Sequence, residues 1–180
     1  TQTNTSDSRQ LIVATAGHVD HGKSALVRQL TGVQTDTLRA EKERGLTINL
    51  GDAYHHFRTE GEPTAPPMTL GFVDVPGHTD FIHNMLAGVS SVDSALLVVA
   101  SDDGIMPQTR EHLVILSLLG IEQLIVAISK IDKVDEFRIA EVERQLCELL
   151  PTFEFNAPDF FPLSNVSGKG VSELKAHLMM

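Results

Sequence analysis

The residues best equipped for chemistry stand near the start of the chain. Gly17-His18-Val19-Asp20-His21-Gly22-Lys23-Ser24 fits the pattern G-x-x-x-x-G-K-[ST]. Glycines at its two ends let the backbone curl so that successive N–H groups point inward, which suits a string of phosphates. A lysine there reaches the β and γ phosphates of a nucleotide, a serine hydroxyl ligates Mg²⁺, and a helix beginning at this point adds partial positive charge. His18, Val19, Asp20, His21 and Ala25 complete the cradle, and both histidines are expected to contribute backbone rather than ring contacts.

Two further constellations complement the first. Asp74-Val-Pro-Gly77-His78 follows the apolar run LGFVDV, which puts Asp74 at a strand end, where a carboxylate holds Mg²⁺ through water. Gly77 offers a backbone N–H to a γ phosphate and tolerates the conformations that two nucleotide states require. Later, Ser129-Lys130-Ile131-Asp132 ends another apolar run. The Asp132 carboxylate can accept from both N1–H and N2–H₂ of guanine. Adenine lacks that donor pair, so Asp132 would select GTP over ATP.

These groups converge only if the intervening elements bring them together. LIVATAG from Leu11 reads as a strand breaking at glycine, and GKSALVRQL as a helix with Leu26, Val27 and Leu30 on one side. A strand over 52–58, a Gly/Pro loop over 60–67 and the strand MTLGFVDV form an expected pair. ALLVVA at 95–100 and QLIVAIS are buried strands, each followed by a helix: TREHLVILSLLG, with Leu113, Leu116 and Leu119 aligned and Gly120 as its stop, and DEFRIAEVERQLCELL, with Ile139, Val142, Leu146 and Leu149 inward and Asp135 as N-cap. FFPLS is a last short strand and VSELKAHL the closing helix, with Val171, Leu174 and Leu178 aligned. The alternation predicts an α/β fold, a mostly parallel, doubly wound sheet with helices on both faces and ligands at the carboxyl ends of its strands.

Composition narrows the classes. At 180 residues and 42% hydrophobic the chain supports one domain, expected over 11–180 behind a polar, disordered lead-in at 1–10. The single cysteine, Cys147, forms no internal disulfide and reads as a structural thiol in a reducing, cytoplasmic setting. No apolar run approaches the roughly 20 residues of a membrane span. A net charge of −10 argues against a broad nucleic-acid-binding face.

Taken together, these residues resemble the translational GTPases, a class of P-loop GTPase whose members carry GHVDHGK, RGxTI, DxPGH, PQTREH and a late Lys-x-Asp. The five stand here at 17–23, 44–48, 74–78, 107–112 and 130–132, and the likeness runs from Leu11 to the end. TDTLRAEKERGLTINLG, DVPGH, NMLAGV and HLVILSLLGI resemble selenocysteine-specific elongation factors more than elongation factor Tu. The resemblance implies GTP or GDP as ligand, Mg²⁺ on Ser24, Thr47 and Asp74, and ribosome-stimulated hydrolysis. It implies that Thr47 is the switch threonine, with residues 36–49 answering to the nucleotide, and that His78 positions the attacking water with Gly77 and Lys23 on the phosphates. Val19 and Leu46 would gate His78, and Asp20 would help bind a monovalent cation. No arginine of the switch region stands out as an internal arginine finger, Arg39 and Arg44 being the nearest candidates, which fits activation from outside by the ribosome. Ribosome and selenocysteyl-tRNA are implied as partners of a longer monomeric protein that continues into β-barrel and RNA-binding domains.

Two positions depart from the family pattern. Ser129 stands where asparagine is usual, and its hydroxyl could meet either guanine or the phosphate loop. Ser164-Asn165 replaces a Ser-Ala pair whose backbone N–H usually contacts guanine O6, and Val166 next to it joins the expected base contacts. His55, His56, His83, His112 and His177 read as surface or packing residues. Other readings that stay open are another translational GTPase, a non-catalytic guanine-nucleotide module and, more distantly, an ATPase.

Overall fold

The computed structural model describes residues 10–32, 68–75 and 92–180, and residues 53–57 as backbone alone. In chain order its elements are β1 (Gln10–Ala16), α1 (Lys23–Thr31), β2 (Ala53–Phe57), β3 (Met68–Asp74), β4 (Ser94–Ala100), α2 (Pro107–Leu118), β5 (Leu124–Ser129), α3 (Glu136–Leu149), β6 (Asp159–Pro162) and α4 (Val171–Leu178). The strands form one six-stranded sheet in the order β2-β3-β1-β4-β5-β6. All neighbours pair parallel except β2, which runs antiparallel to β3 at the edge, as the expected strand pair requires.

Strand alternation divides the core between the two faces. On β4, Ala95, Leu97 and Val99 pack with Leu113 and Leu116 of α2 and Val142 and Leu146 of α3. Leu96 and Val98 point the other way, toward Leu26, Val27 and Leu30 of α1 and Val171, Leu174 and Leu178 of α4. Every residue of β4 and β5 is buried, which is why both segments read as unbroken apolar runs rather than alternating ones.

Chain punctuation follows local chemistry. Gly32 ends α1 in the left-handed region at φ 73°, its N–H closing on the Arg28 carbonyl. Asp135 caps α3 by accepting from the Arg138 N–H at 2.9 Å. Gln10, expected in the lead-in, is the first residue of β1, because its backbone pairs in register with Thr69. The last strand lies slightly earlier than FFPLS: after Pro162 the chain turns, and the Ser164 hydroxyl organises that turn.

The order of the strands places the site. β1 sits between β3 and β4, so the chain winds to one side of β1 and then to the other, and a crevice opens at the carboxyl end of β1.

Candidate nucleotide-binding site

The segment leaving β1 takes conformations that side chains oppose. Gly17 has φ 132° and Gly22 φ 91°. At Gly17 a Cβ would collide with the carbonyl oxygen of Val98, so the turn against β4 closes only around glycine. Asp20, without that freedom, still sits at φ 66°. Gly22 then hands the chain to α1, whose first N–H groups have no partner within the helix and face the crevice together with its dipole.

Two buried histidines hold this loop from below: His112 is a packing residue, one of its two expected roles, while His21 makes ring contacts within the protein that were not expected. His21 is fully buried, and its Nδ1 accepts from the Ala100 N–H at 3.2 Å while Asp103 Oδ2 lies 3.2 Å from Nε2. It therefore makes ring contacts, and its edge meets the His18 ring at a centroid distance of 5.0 Å. His112, on α2, is 1% exposed, and its Nδ1 accepts from the Gly17 N–H at 2.9 Å. Acceptance at Nδ1 leaves the proton of the neutral ring on Nε2. Burial pushes the His112 pKa down to about 4, with Lys23 adding to the effect. Burial likewise lowers that of His21, although Asp103 opposes the shift. His177, by contrast, is partly exposed, its ring 5.0 Å from that of Phe161 and its Nε2 3.3 Å from Asp159.

Above the loop an open cleft of about 400 Å³ is lined by Val19, Lys23, Ser24, Asp74, Gln108 and His112 among others. Lys23 Nζ lies 3.2 Å from Asp74 Oδ1, and the same oxygen accepts from the Thr15 hydroxyl at 2.9 Å. Gln108 Oε1 accepts from the Val19 N–H at 2.8 Å, fixing the crest of the loop, while the Val19 side chain is half exposed. Ser24 and Ala25 are exposed on the first turn of α1. An exposed hydroxyl and a half-exposed carboxylate lining the same open cleft fit Mg²⁺, which keeps waters and substrate phosphates among its ligands. Among the described residues no group of three or more His, Cys, Asp or Glu makes an all-protein metal cage.

The segments expected to read the base lie at the ends of β5 and β6. Lys130 turns the chain at φ 59°, its carbonyl accepting from the Ser101 hydroxyl at 3.0 Å. Asp132 is exposed, and its Oδ1 accepts from Ser164 Oγ at 2.6 Å. Ser164 Oγ in turn accepts from the N–H groups of Val166 and Ser167, both at 3.2 Å, so one buried hydroxyl sets both the carboxylate and the next turn. The Val166 side chain is exposed. Of the two alternatives open for Ser129, the structure has the phosphate loop: its hydroxyl donates to the His21 carbonyl at 2.5 Å. The Asn165 side chain also turns to that loop, donating to the Gly22 carbonyl at 3.1 Å.

Thr47, Gly77 and His78, with Arg39, Arg44, Leu46 and His83, lie outside the described residues, and the side chains of His55 and His56 are likewise not described. The residues that sequence reasoning missed are Thr15, Asp103, Gln108 and His112. For His112 a signal existed: Thr109, His112, Leu113 and Leu116 fall at i, i+3, i+4 and i+7, and all four are buried. Cys147 is free and exposed rather than structural.

A phosphate cradle after β1, a carboxylate after β3 and a carboxylate-bearing loop after β5, all at one edge of a parallel sheet, define a P-loop domain built for guanine nucleotides. The family model of the Elongation factor Tu GTP binding domain matches residues 8–180, and the chain belongs to that family. It is 51% identical over 169 residues to the selenocysteine-specific elongation factor of Escherichia coli (strain K12), a match covering 94% of this chain and 26% of that protein. Its fold is similar to the crystal structure of bacterial selenocysteine-specific elongation factor EF-Sec, with TM-score 0.75 and 42% identity over 95% of this chain and 28% of that one. The elongation factor SelB of Methanococcus maripaludis, solved with the GTP analogue GppNHp, gives TM-score 0.70 and 28% identity over 97% of this chain and 34% of its own. The chain spans about a quarter of the length of the curated relatives it matches first. Among the described residues no helix is long and apolar enough to cross a membrane.

Proposed function

We propose that this chain is the GTP-hydrolysing domain of a selenocysteine-specific translation elongation factor, switching on GTP to deliver selenocysteyl-tRNA to the ribosome. The placement of Lys23, Asp74 and Asp132 at the carboxyl ends of β1, β3 and β5 of one sheet carries the nucleotide reading. Identity to the Escherichia coli factor supports the particular factor. On this reading Gly17 to Ala25 wrap the phosphates: Gly17, His18, Val19, Asp20, His21 and Gly22 through the loop backbone, Lys23 through its ammonium. Lys130, Asp132, Ser164, Val166 and the backbone of Asn165 enclose the guanine, while the Ser129 and Asn165 side chains hold the phosphate loop beside it. Ser24, Thr47 and Asp74 would hold Mg²⁺, which would supply positive charge beside the phosphates.

Hydrolysis needs orientation more than covalent chemistry, because the transition state is loose and its charge is spread over phosphoryl oxygens. His78 orients the water, Gly77 donates its N–H to the γ phosphate, and Lys23 follows the charge as it moves toward the β–γ bridge. Val19, exposed on the loop crest, is one side of the gate over His78. Asp20, exposed beside it, supplies a carboxylate for a monovalent cation. The working protein is a cytoplasmic monomer with β-barrel and RNA-binding domains beyond this one, and those domains contribute most of the tRNA contact.

Single-turnover hydrolysis of GTP by the chain and by its His78→Ala variant tests the enzyme reading. The variant should bind GDP as the parent does and hydrolyse on the order of a hundredfold more slowly. Collapse of its nucleotide affinity would make His78 structural. Absence of hydrolysis by the parent, with or without ribosomes, would refute the enzyme.

A further inference from the structure

Two side chains from the base side reach across to the phosphate loop, and both take hold of carbonyls. Ser129, fully buried at the end of β5, donates to the His21 carbonyl at 2.5 Å. Asn165, after β6, donates through Nδ2 to the Gly22 carbonyl at 3.1 Å. That carbonyl also accepts the Leu26 N–H at 2.9 Å, so both of its lone pairs are used. Gln29, further along α1, donates to the carbonyl of Asn165 itself, tying the same loop to the same helix. A Cβ at Gly22 would come within 2.8 Å of Asn165 Nδ2, so the bare glycine is what admits the amide.

Holding those carbonyls aims the groups on the other side of their peptide planes. In a planar trans peptide the N–H opposes the C=O. Fixing the His21 carbonyl therefore fixes the direction of the Gly22 N–H, and fixing the Gly22 carbonyl fixes that of the Lys23 N–H. Both donors lie at the start of α1, where no intrahelical acceptor exists. We propose that Asn165 and Ser129 form a strap that aims the Gly22 and Lys23 backbone donors at the phosphates, making Asn165 a positioning residue for the nucleotide. The inference rests on the guanine-nucleotide reading above. The strap also joins the two halves of the pocket, since Ser164, the neighbour of Asn165, holds the base-reading Asp132.

Two measurements test it: dissociation of fluorescently labelled GDP, and amide hydrogen exchange over residues 21–26 of the nucleotide-free chain. Asn165→Ala should speed GDP release about tenfold and accelerate that exchange, while global melting barely moves. Asn165→Asp, which keeps the shape but turns an acceptor toward a carbonyl, should release GDP faster still. Ser129→Asn in the Asn165→Ala background returns an amide to the same gap and should bring the rate back to within about threefold of the parent. A parent that binds GDP, with an Asn165→Ala variant unchanged in release and exchange, overturns the strap and leaves the guanine reading standing. A double variant no slower than Asn165→Ala also counts against it. A parent that binds no GDP overturns the guanine reading, and the exchange rates then decide the strap alone.

Discussion

The phosphate loop and the loops after β5 and β6 touch through Ser129 and Asn165 but are stabilised differently. Beneath the phosphate loop lie His21 and His112, essentially without solvent, each accepting a backbone N–H. The base side presents Asp132 and Val166 exposed, organised by the single hydroxyl of Ser164. A loop set by buried polar contacts is part of the core, and disturbing it costs global stability. On the other side the buried Ser164 hydroxyl sets the turn while the Asp132 and Val166 side chains stay exposed, so changes to those two side chains alter which ligand binds with little effect on folding.

The sharpest attempt to break this contrast is Gly17→Ala. Its Cβ would collide with the Val98 backbone at φ 132°, and the loss should exceed roughly 4 kcal/mol, read as failure to fold or a collapse of the thermal transition. Acidification comes next. An unfolded histidine titrates near 6.5 and folded His112 near 4, so between those values the unfolded chain binds more protons. Stability is therefore fully present above pH 6.5 and is lost as pH falls toward about 4, by an amount on the order of 3 kcal/mol. His21 pushes the same way. Denaturant melts across that range should show the slope, and His112→Gln, which keeps an acceptor but does not titrate, should flatten it.

On the base side the expected effects concern binding. Asp132→Asn should weaken GTP binding by roughly 10- to 100-fold and favour xanthine nucleotides, because an amide donates to the xanthine O2. Its melting temperature should stay near that of the parent. Val166→Ala, at a side chain that is 87% exposed, should change stability by less than about 0.5 kcal/mol. A large loss of stability from either base-side change would remove the contrast.

The same division governs what the sequence made legible. Element order, the glycines of the phosphate loop and the positions of Lys23, Asp74 and Asp132 all follow from local pattern: periodicity, turn residues and strand ends. The histidine and asparagine contacts join residues far apart in the chain, 95 positions for Gly17 and His112 and 143 for Gly22 and Asn165. Periodicity does not encode such pairings. A histidine on a helix stripe otherwise made of Leu113 and Leu116 was a readable sign of burial, but the atom it would meet was not. Ser129 and Asn165 each looked like an isolated departure, and only the fold reveals that they grip consecutive carbonyls of one loop.

Titration of the chain with labelled GTP, GDP and ATP in Mg²⁺ tests the central claim most directly. Saturable binding of both guanine nucleotides, with ATP ignored, is the predicted result. Equal binding of ATP, or no binding of any of the three, would contradict the assignment of Lys23, Asp74 and Asp132 to one guanine-nucleotide site.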